Sequence, residues 1–528
     1  MHSSLSKSEV IRTTAEQIES ARGPGLAQFH FGGTAHATWL STIVIGFMAV
    51  VLIALFWFPV RRAFANVEVN YNEGWNAYKA ATVASGLPLY GSPPKSLTGG
   101  VYSPLSFHFI AALGTPNTFP AIGRWVSLIS LLAIGIFVGL IVRRGGGSRS
   151  AAIFSFLIYE IAVALMLPDR IGMNDPELLA EALSIAGLYL YLRNPMSTRL
   201  LYASALLFCV AGFTKQTLIA FPAAVAVDLL FRSRKGFITW FGAMTVIAGA
   251  FLALTFLIDG RYFFVYLLSK RAYSYSMAWS QFHQYATLFQ GLLVIATAWS
   301  ISALRSRPLF VTAFVFSNGL AFLLAGGAGI DMNIFFSALI TTIIACGFAL
   351  SDTQFALASW SSGVWNYTAA LMFAILVFDV MLFVPGQLRR DREKMRNLSA
   401  LEDEFRSSVE YVKARPGPAL CESLLLCYKA GKTFEYEPFT VRDEIDTGLL
   451  KEDDVLQMLR THHFQTVQIA LRPDEQNLKE WPDLRESLVD QTGPPYKQRR
   501  FTPNFMKELL TDYQLSKRTS DMALFSPK

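Results

Sequence analysis

The stretch "NYNEGWNAYKAATVASGLPLY", residues 70–90, holds one carboxylate, Glu73, among aromatic and amide side chains. A carboxylate partly withdrawn from water titrates closer to neutrality and can take a proton from a hydroxyl, which is the work of a general base. The rings of Tyr71, Trp75 and Tyr78 supply such surroundings, and Asn72 adds an amide beside the acid. The plainer alternative is a hydrated loop carboxylate. "NEGWNAYKAATVASG" has helical character and closes at Gly86, a C-cap residue, so Glu73 falls in a first helical turn.

A second acid stands in "LPDRIGMNDPELLAEAL", 167–183, where Asp175 precedes Pro176. Asn174 or Asp175 followed by proline is an N-cap pattern, and capping is the plain reading. The same short stretch carries Asp169 and Arg170, and Glu181 lies deeper, inside an apolar run where an acid should face a bundle interior. Cations recur nearby. Lys215 in "AGFTKQTLIAF" separates two apolar runs, where it either snorkels or meets a phosphate. Lys270 and Arg271 in "LSKRAYSYSMAWSQFHQY" sit among aromatics, as an interfacial belt or as a phosphate platform. "GGAGIDMNIFF" places Asp331 and Asn333 after flexible glycines. No Cys/His spacing fits zinc, and no P-loop is present.

The elements that must position these residues follow from composition. Of 528 residues, 52% are apolar and 16% charged, against about 25% charged in soluble domains. About eleven runs reach or approach the ~20 residues that cross a bilayer: 38–59, 121–142, 150–168, 177–193, 199–213, 217–232, 236–258, 284–303, 308–326, 333–350 and 363–385. The run 102–114 is too short and reads as interfacial or re-entrant. The segments 143–149, 193–199, 232–235 and 305–307 are basic and free of acids, as cytoplasmic loops are. The alternate loops, 60–120, 169–176, the tip at Lys215, 259–283 and 327–332, hold Glu73, Asp175 and Asp331 and are expected outside. The polar tail 1–37 then lies in the cytoplasm ahead of an uncleaved anchor. Basic clusters confined to short loops argue against a nucleic-acid partner and for the lipid bilayer.

After residue 385 the character changes. "LRRDREKMRNLSALEDEFRSSVEYVKARPG" puts Met395, Leu398, Leu401, Phe405, Val409 and Val412 on one helical stripe. Helix-then-strand patterns follow in "VLQMLRTHHF…QTVQIAL" and "FTPNFMKELLTDY…MALFSP". The expected fold is an all-α polytopic membrane protein of about eleven transmembrane helices with a small C-terminal α/β domain, 386–528. An odd number of spans puts that domain outside, where Cys421 and Cys427 are free to pair.

The order Glu73-Gly74 to Tyr78, then Gly86-Leu87-Pro88-Leu89-Tyr90, then Tyr102-Ser103-Pro104-Leu105, then "GRWVSLISLL" opening the second span, resembles the GT-C superfamily of polytopic glycosyltransferases. The pattern is similar to that of bacterial protein O-mannosyltransferases and aminoarabinose transferases and covers roughly 38–340. The resemblance implies transfer of a sugar from a polyprenyl-phosphate carrier to an acceptor hydroxyl on a glycan, lipid or protein, at the outer face of the inner membrane. The family's acidic pair reads Asn72-Glu73 here, which leaves Glu73 as the base, and its second acid corresponds to Asp175. The stretches around Lys215 and Asn333 resemble features of the lipid-phosphate site. Asn72, Trp75, Tyr78, Tyr102, Arg170, Lys215, Lys270, Arg271 and Asn333 are the expected substrate contacts. No ligand cluster demands a metal, and a divalent ion is an optional aid. The rival readings are a lipid-linked glycan polymerase or ligase and a non-enzymatic flippase or transporter component.

Overall fold

Apolar runs of this length fold as helices because a backbone without water must satisfy its own hydrogen bonds. The computed structural model describes residues 35–91, 102–268, 271–359, 375–378, 380–478, 480–489 and 500–528. The chain divides into two units. Of the first, 1–44, residues 35–44 are helical; the second is 45–528. In chain order the helices are α1 (Ala35–Ala63), α2 (Asn72–Ala84), α3 (Leu105–Leu113), α4 (Phe119–Arg144), α5 (Arg149–Met166), α6 (Glu177–Arg193), α7 (Thr198–Thr214), α8 (Ala220–Arg232), α9 (Arg234–Ile258), α10 (Tyr262–Leu267), α11 (Tyr275–Leu288), α12 (Gln290–Ala303), α13 (Pro308–Leu324) and α14 (Phe336–Ser359).

Among the described residues, five helices are long and apolar enough to cross a membrane, and six if the bent pair α11 and α12 counts as one span. Helices stand at most of the expected positions, but α6, α7 and α13 have 17 residues and α8 has 13, short of the ~20 that span a bilayer. The run expected as one span over 284–303 is two helices meeting at 90°. The break falls at Phe289, which is buried beside Tyr285, itself stacked on Phe335 at 4.7 Å. Most of the run 363–385 lies outside the described residues. α3 has nine residues and is too short to cross. α9 turns Ile238, Phe241, Val246 and Leu257 away from the protein, as a lipid-facing helix does.

Two groups of loops are tied together by arginines. Arg144 donates to the Leu192 and Arg193 carbonyls, joining two basic loops. Arg62, at the end of α1, reaches the other set. It donates to Asp169 at 2.9 Å and to the carbonyls of Pro168 and Ile171. α2 ends where expected, with Gly86 at φ +69°, a conformation that costs glycine little.

The C-terminal part is α/β. α15 (Val384–Lys413) leads to β1 (Ala419–Cys421), α16 (Leu424–Lys429), α17 (Pro438–Asp446), α18 (Glu452–Arg460), β2 (Thr466–Ala470), α19 (Pro473–Gln476), α20 (Trp481–Val489), α21 (Pro503–Asp512), β3 (Tyr513–Arg518) and β4 (Met522–Pro527). The sheet order is β1-β2-β4-β3, with β1 parallel to β2 and the other pairs antiparallel. The β2 pattern suggests one wet face, yet Thr466 and Gln468 are buried as well. The reason is that the sheet separates two apolar cores. Leu420, Val467, Ile469, Ala523 and Phe525 feed one, with α18 and α21. Ala419, Cys421, Met522 and Leu524 feed the other, with the α15 stripe of Leu398, Phe405 and Val412 and with Trp75 and Val67. Cys421 and Cys427 form a disulfide.

Candidate functional site

Four separate segments converge between the ends of α6, α7 and α14. Arg170 lies in a short 3-10 turn after α5 and is buried; it donates to Asp175 Oδ2 at 3.1 Å and to Asp331 Oδ2 at 2.9 Å. Asp175 Oδ1 accepts the Glu177 N–H at 2.9 Å, so the expected capping bond is present even though Pro176 stands at the cap position. Lys215, which ends α7, pairs with Glu177 Oε2, and the Asn333 amide donates to the same oxygen at 2.5 Å. The Lys215 ammonium lies over the Tyr102 ring at 5.3 Å. One turn deeper, Glu181 faces the bundle interior as expected and accepts the Ser337 hydroxyl at 2.6 Å.

This mouth is graded in access. The Asp175 side chain is 4% exposed and the Asp331 side chain 50%. Burial alone would lower the Arg170 pKa, but Asp175 and Asp331 beside it more than offset this and raise it. Arg271 is half-buried near Tyr102 and Asp443; burial holds its guanidinium below the ordinary value. Lys270 lies outside the described residues. The C-terminal part reaches the mouth as well. The ring of Phe439, in α17, lies against Gly329, two residues before Asp331, and its N–H donates to the Tyr71 hydroxyl at 3.1 Å.

Glu73 stands elsewhere and does something else. It is fully buried, and all of its oxygen lone pairs are engaged. Oε1 accepts Arg124 Nε at 2.7 Å and the Asn174 N–H at 3.0 Å; Oε2 accepts Arg124 Nη2 at 2.7 Å and the Val69 N–H at 2.8 Å. A carboxylate has about four acceptor positions, so no lone pair is left for a substrate hydroxyl. The expectation that Glu73 is the base is corrected on this ground: it ties the first loop to α4 and to the segment before Asp175.

The neighbouring aromatics are likewise engaged. Trp75 is buried, with the Lys79 ammonium 4.5 Å from its ring, and Tyr78 stacks on Phe434 at 4.2 Å. Asn72 starts α2, its N–H donating to Asn70. Trp75 and Tyr78 belong to the seam with the C-terminal part. Tyr102, Arg170, Lys215, Asp175 and Asn333 do come together, with Arg271 at the edge.

Three residues were not singled out from the sequence. Arg124 is an arginine near the start of an apolar span, which by itself marks a buried pair. Glu177 follows Pro176 in the first turn of α6, where an acid is ordinary. Glu68 lies five residues ahead of Glu73 and accepts the Ser423 hydroxyl at 2.5 Å and the Leu425 N–H at 2.9 Å. Burial pushes its carboxyl up to about 8. Among the described residues no three His, Cys, Asp or Glu side chains come together as a metal site.

No protein-family model matches the chain, and no curated protein matches it. Solved structures do. The apo form of ArnT from Cupriavidus metallidurans aligns over 93% of this chain and 98% of its own length, with TM-score 0.52 and 13% identity. ArnT bound to undecaprenyl phosphate aligns over 92% and 98%, with TM-score 0.51 and 14% identity. The Archaeoglobus fulgidus oligosaccharyltransferase tethered to an acceptor peptide containing the NVT sequon aligns over 82% and 69%, with TM-score 0.51 and 11% identity. The chain therefore shares the fold of these structures.

Proposed function

We propose that this protein is a membrane glycosyltransferase that takes a sugar from a polyprenyl-phosphate carrier and passes it to an acceptor hydroxyl. The observation that carries the reading is the convergence of Arg170 and Lys215 with Asp175, Glu177 and Asp331 at the end of a lipid-facing bundle. The fold supports it, since one similar structure holds undecaprenyl phosphate and another an acceptor peptide.

The chemistry asks little of the protein. Asp175 takes the proton of the acceptor hydroxyl. The freed oxygen attacks the anomeric carbon, and the bond from that carbon to the phosphate oxygen breaks. The electrons of that bond leave on the polyprenyl phosphate, whose added negative charge Arg170, Lys215 and Arg271 stabilise. A stable anion leaves without a general acid, and a single displacement inverts the anomeric centre. Asp175 suits the base role because each of its oxygens accepts only one donor among the described residues.

The topology proposed with this is eleven spans, a cytoplasmic N-terminus and a C-terminal part outside, in the inner membrane. The gathering of 62–73, 168–175 and 394 through Arg62, Asp169 and Lys394 supports putting these segments on one face, and the Cys421–Cys427 disulfide fits an oxidising compartment.

The test is mass spectrometry of envelope glycans and glycolipids from a strain lacking this chain. Loss of one glycosylated species, restored by the wild type and not by Asp175→Asn, is expected. An unchanged envelope with altered distribution of a lipid-linked sugar across the membrane would replace this reading with a flippase.

A further inference from the structure

The contacts of the first loop show where its position comes from. α16 lies backbone to backbone on α2: a methyl group added at Gly74 would stand 2.1 Å from Leu425 N and 2.2 Å from the Leu424 carbonyl carbon. Glycine is the one residue that permits this approach. Beside it, the Glu68 carboxyl receives the Ser423 hydroxyl and the Leu425 N–H. Ser423 and Glu422 are held in turn by β2, through the Gln468 side-chain oxygen at 2.7 Å and its carbonyl at 3.0 Å. The Tyr428 hydroxyl donates to the Pro116 carbonyl at 2.6 Å, a second attachment to the same outside loop.

Each of these partners lies in or next to the short loop that Cys421 and Cys427 close. α16 has six residues, fewer than an isolated helix needs to persist in water. A cross-link between its Cys427 and the end of β1 removes most of the alternative conformations the loop would otherwise sample. From Gly74 the path is one residue to Glu73, then one hydrogen bond to Asn174, then one residue to Asp175.

We propose that the disulfide-closed strand-to-helix turn 421–427 is a positioning latch: it seats Ser423 and Leu425 on Glu68 and α16 on Gly74, and so fixes the first outside loop and, through Glu73 and Asn174, the segment that carries Asp175. The C-terminal part is on this view a working component of the mouth. The latch touches no reacting atom, so Glu68, Gly74 and the two cysteines are positioning residues. The claim about Asp175 as base rests on the transferase reading above; the claim about the latch does not.

The test uses the full chain in lipid nanodiscs, followed by hydrogen–deuterium exchange, with turnover of a polyprenyl-phosphate sugar measured in parallel. Reduction by dithiothreitol, and the Cys421→Ser/Cys427→Ser variant, are expected to speed exchange in 68–76 and 173–176 while leaving α4 and α5 protected. Turnover should fall by roughly ten- to a hundredfold, the scale of a misplaced catalytic group, with the donor KM little changed. Reoxidation of the wild type should restore both. Gly74→Ala, with the disulfide intact, should reproduce the exchange pattern of the reduced protein. Unchanged exchange at 68–76 and 173–176 after reduction would overturn the latch, whatever the activity. Faster exchange there in a protein that transfers no sugar would uphold the latch and overturn the transferase reading instead.

Discussion

Glu73 Oε1 accepts the backbone N–H of Asn174 at 3.0 Å, one residue before Asp175. The acid that the sequence offers as a catalyst is thus the support of the acid beside it. Arg124 completes the arrangement, with two bonds to Glu73 and two more to the Ala65 and Val67 carbonyls.

A structural role for Glu73 predicts a structural defect. Glu73→Gln leaves the buried Arg124 guanidinium without its counter-charge, and breaking a buried pair from one side costs about 3–5 kcal/mol. The variant should unfold at lower temperature in detergent and express poorly. A Gln variant as stable as the wild type, with turnover alone reduced, would restore Glu73 as the base.

The mainly helical fold was legible in the sequence because lipid imposes a simple pattern in the length of apolar runs, and the α15 stripe was legible from its period. The site was legible in part. Arg170, Asp175, Lys215 and Asn333 stood out because charged and amide groups at the ends of apolar runs have few other places to go. Glu73 misled for a physical reason. Its partner Arg124 is 51 residues away and inside a span, and nothing local to 70–90 shows that the carboxylate is already saturated. Tyr78 misled likewise, since an aromatic beside a membrane can face a ligand or another part of the protein, and here it stacks on Phe434; Trp75 joins the same apolar core. β3 was missed because Tyr513–Arg518 is polar and half-exposed, an outer strand completed by its hairpin with β4.

The proposed topology makes a prediction separate from the chemistry. Alkaline phosphatase fused after residue 400 should be active, because α15 shares a face with Arg62 and Asp169 through Lys394. Fluorescence from green fluorescent protein at the same junction would mean that this face is cytoplasmic. The basic loops 143–149 and 193–199 would then have to be outside, against their charge.

Glu68 sets a pH dependence for the C-terminal contact. Its ordinary pKa is 4.5, and burial beneath 423–425 raises it to about 8, with Glu73 adding to the rise and Arg500 and the two hydrogen bonds opposing it. A raised carboxyl pKa means that the docked state holds a proton that the undocked state releases. Stability from this group is therefore greatest below pH 4.5 and declines as pH rises to about 8. Glu68→Gln mimics the protonated form, so its thermal stability should lose this component of the pH dependence. Parallel curves for wild type and variant across that window would show that Glu68 is already ionised when docked.

Asp175 and Lys215 should separate turnover from donor binding. Asp175→Asn keeps the N-cap acceptor and removes the proton acceptor; its amide nitrogen cannot accept from Arg170, which retains Asp331 as its partner. It should lower turnover by roughly 10²–10⁴-fold, the usual worth of a positioned base, while the remaining Asp331 pair keeps Arg170 in place and the variant folded. Lys215 is harder to test alone, because Lys215→Ala strands the buried Glu177 carboxylate. The double variant Lys215→Met/Glu177→Gln removes both charges and keeps the volume, so the mouth should stay folded. Its donor KM should rise by an amount worth about 1–3 kcal/mol, the scale of a lost charged hydrogen bond, and Arg271→Ala should act in the same direction. Normal turnover in Asp175→Asn would shift the base role to Asp331, whose half-exposed carboxyl is the next one an acceptor would meet. Unchanged donor KM in both cation variants would leave Lys215 as a partner of Glu177 alone and place the carrier phosphate on Arg170.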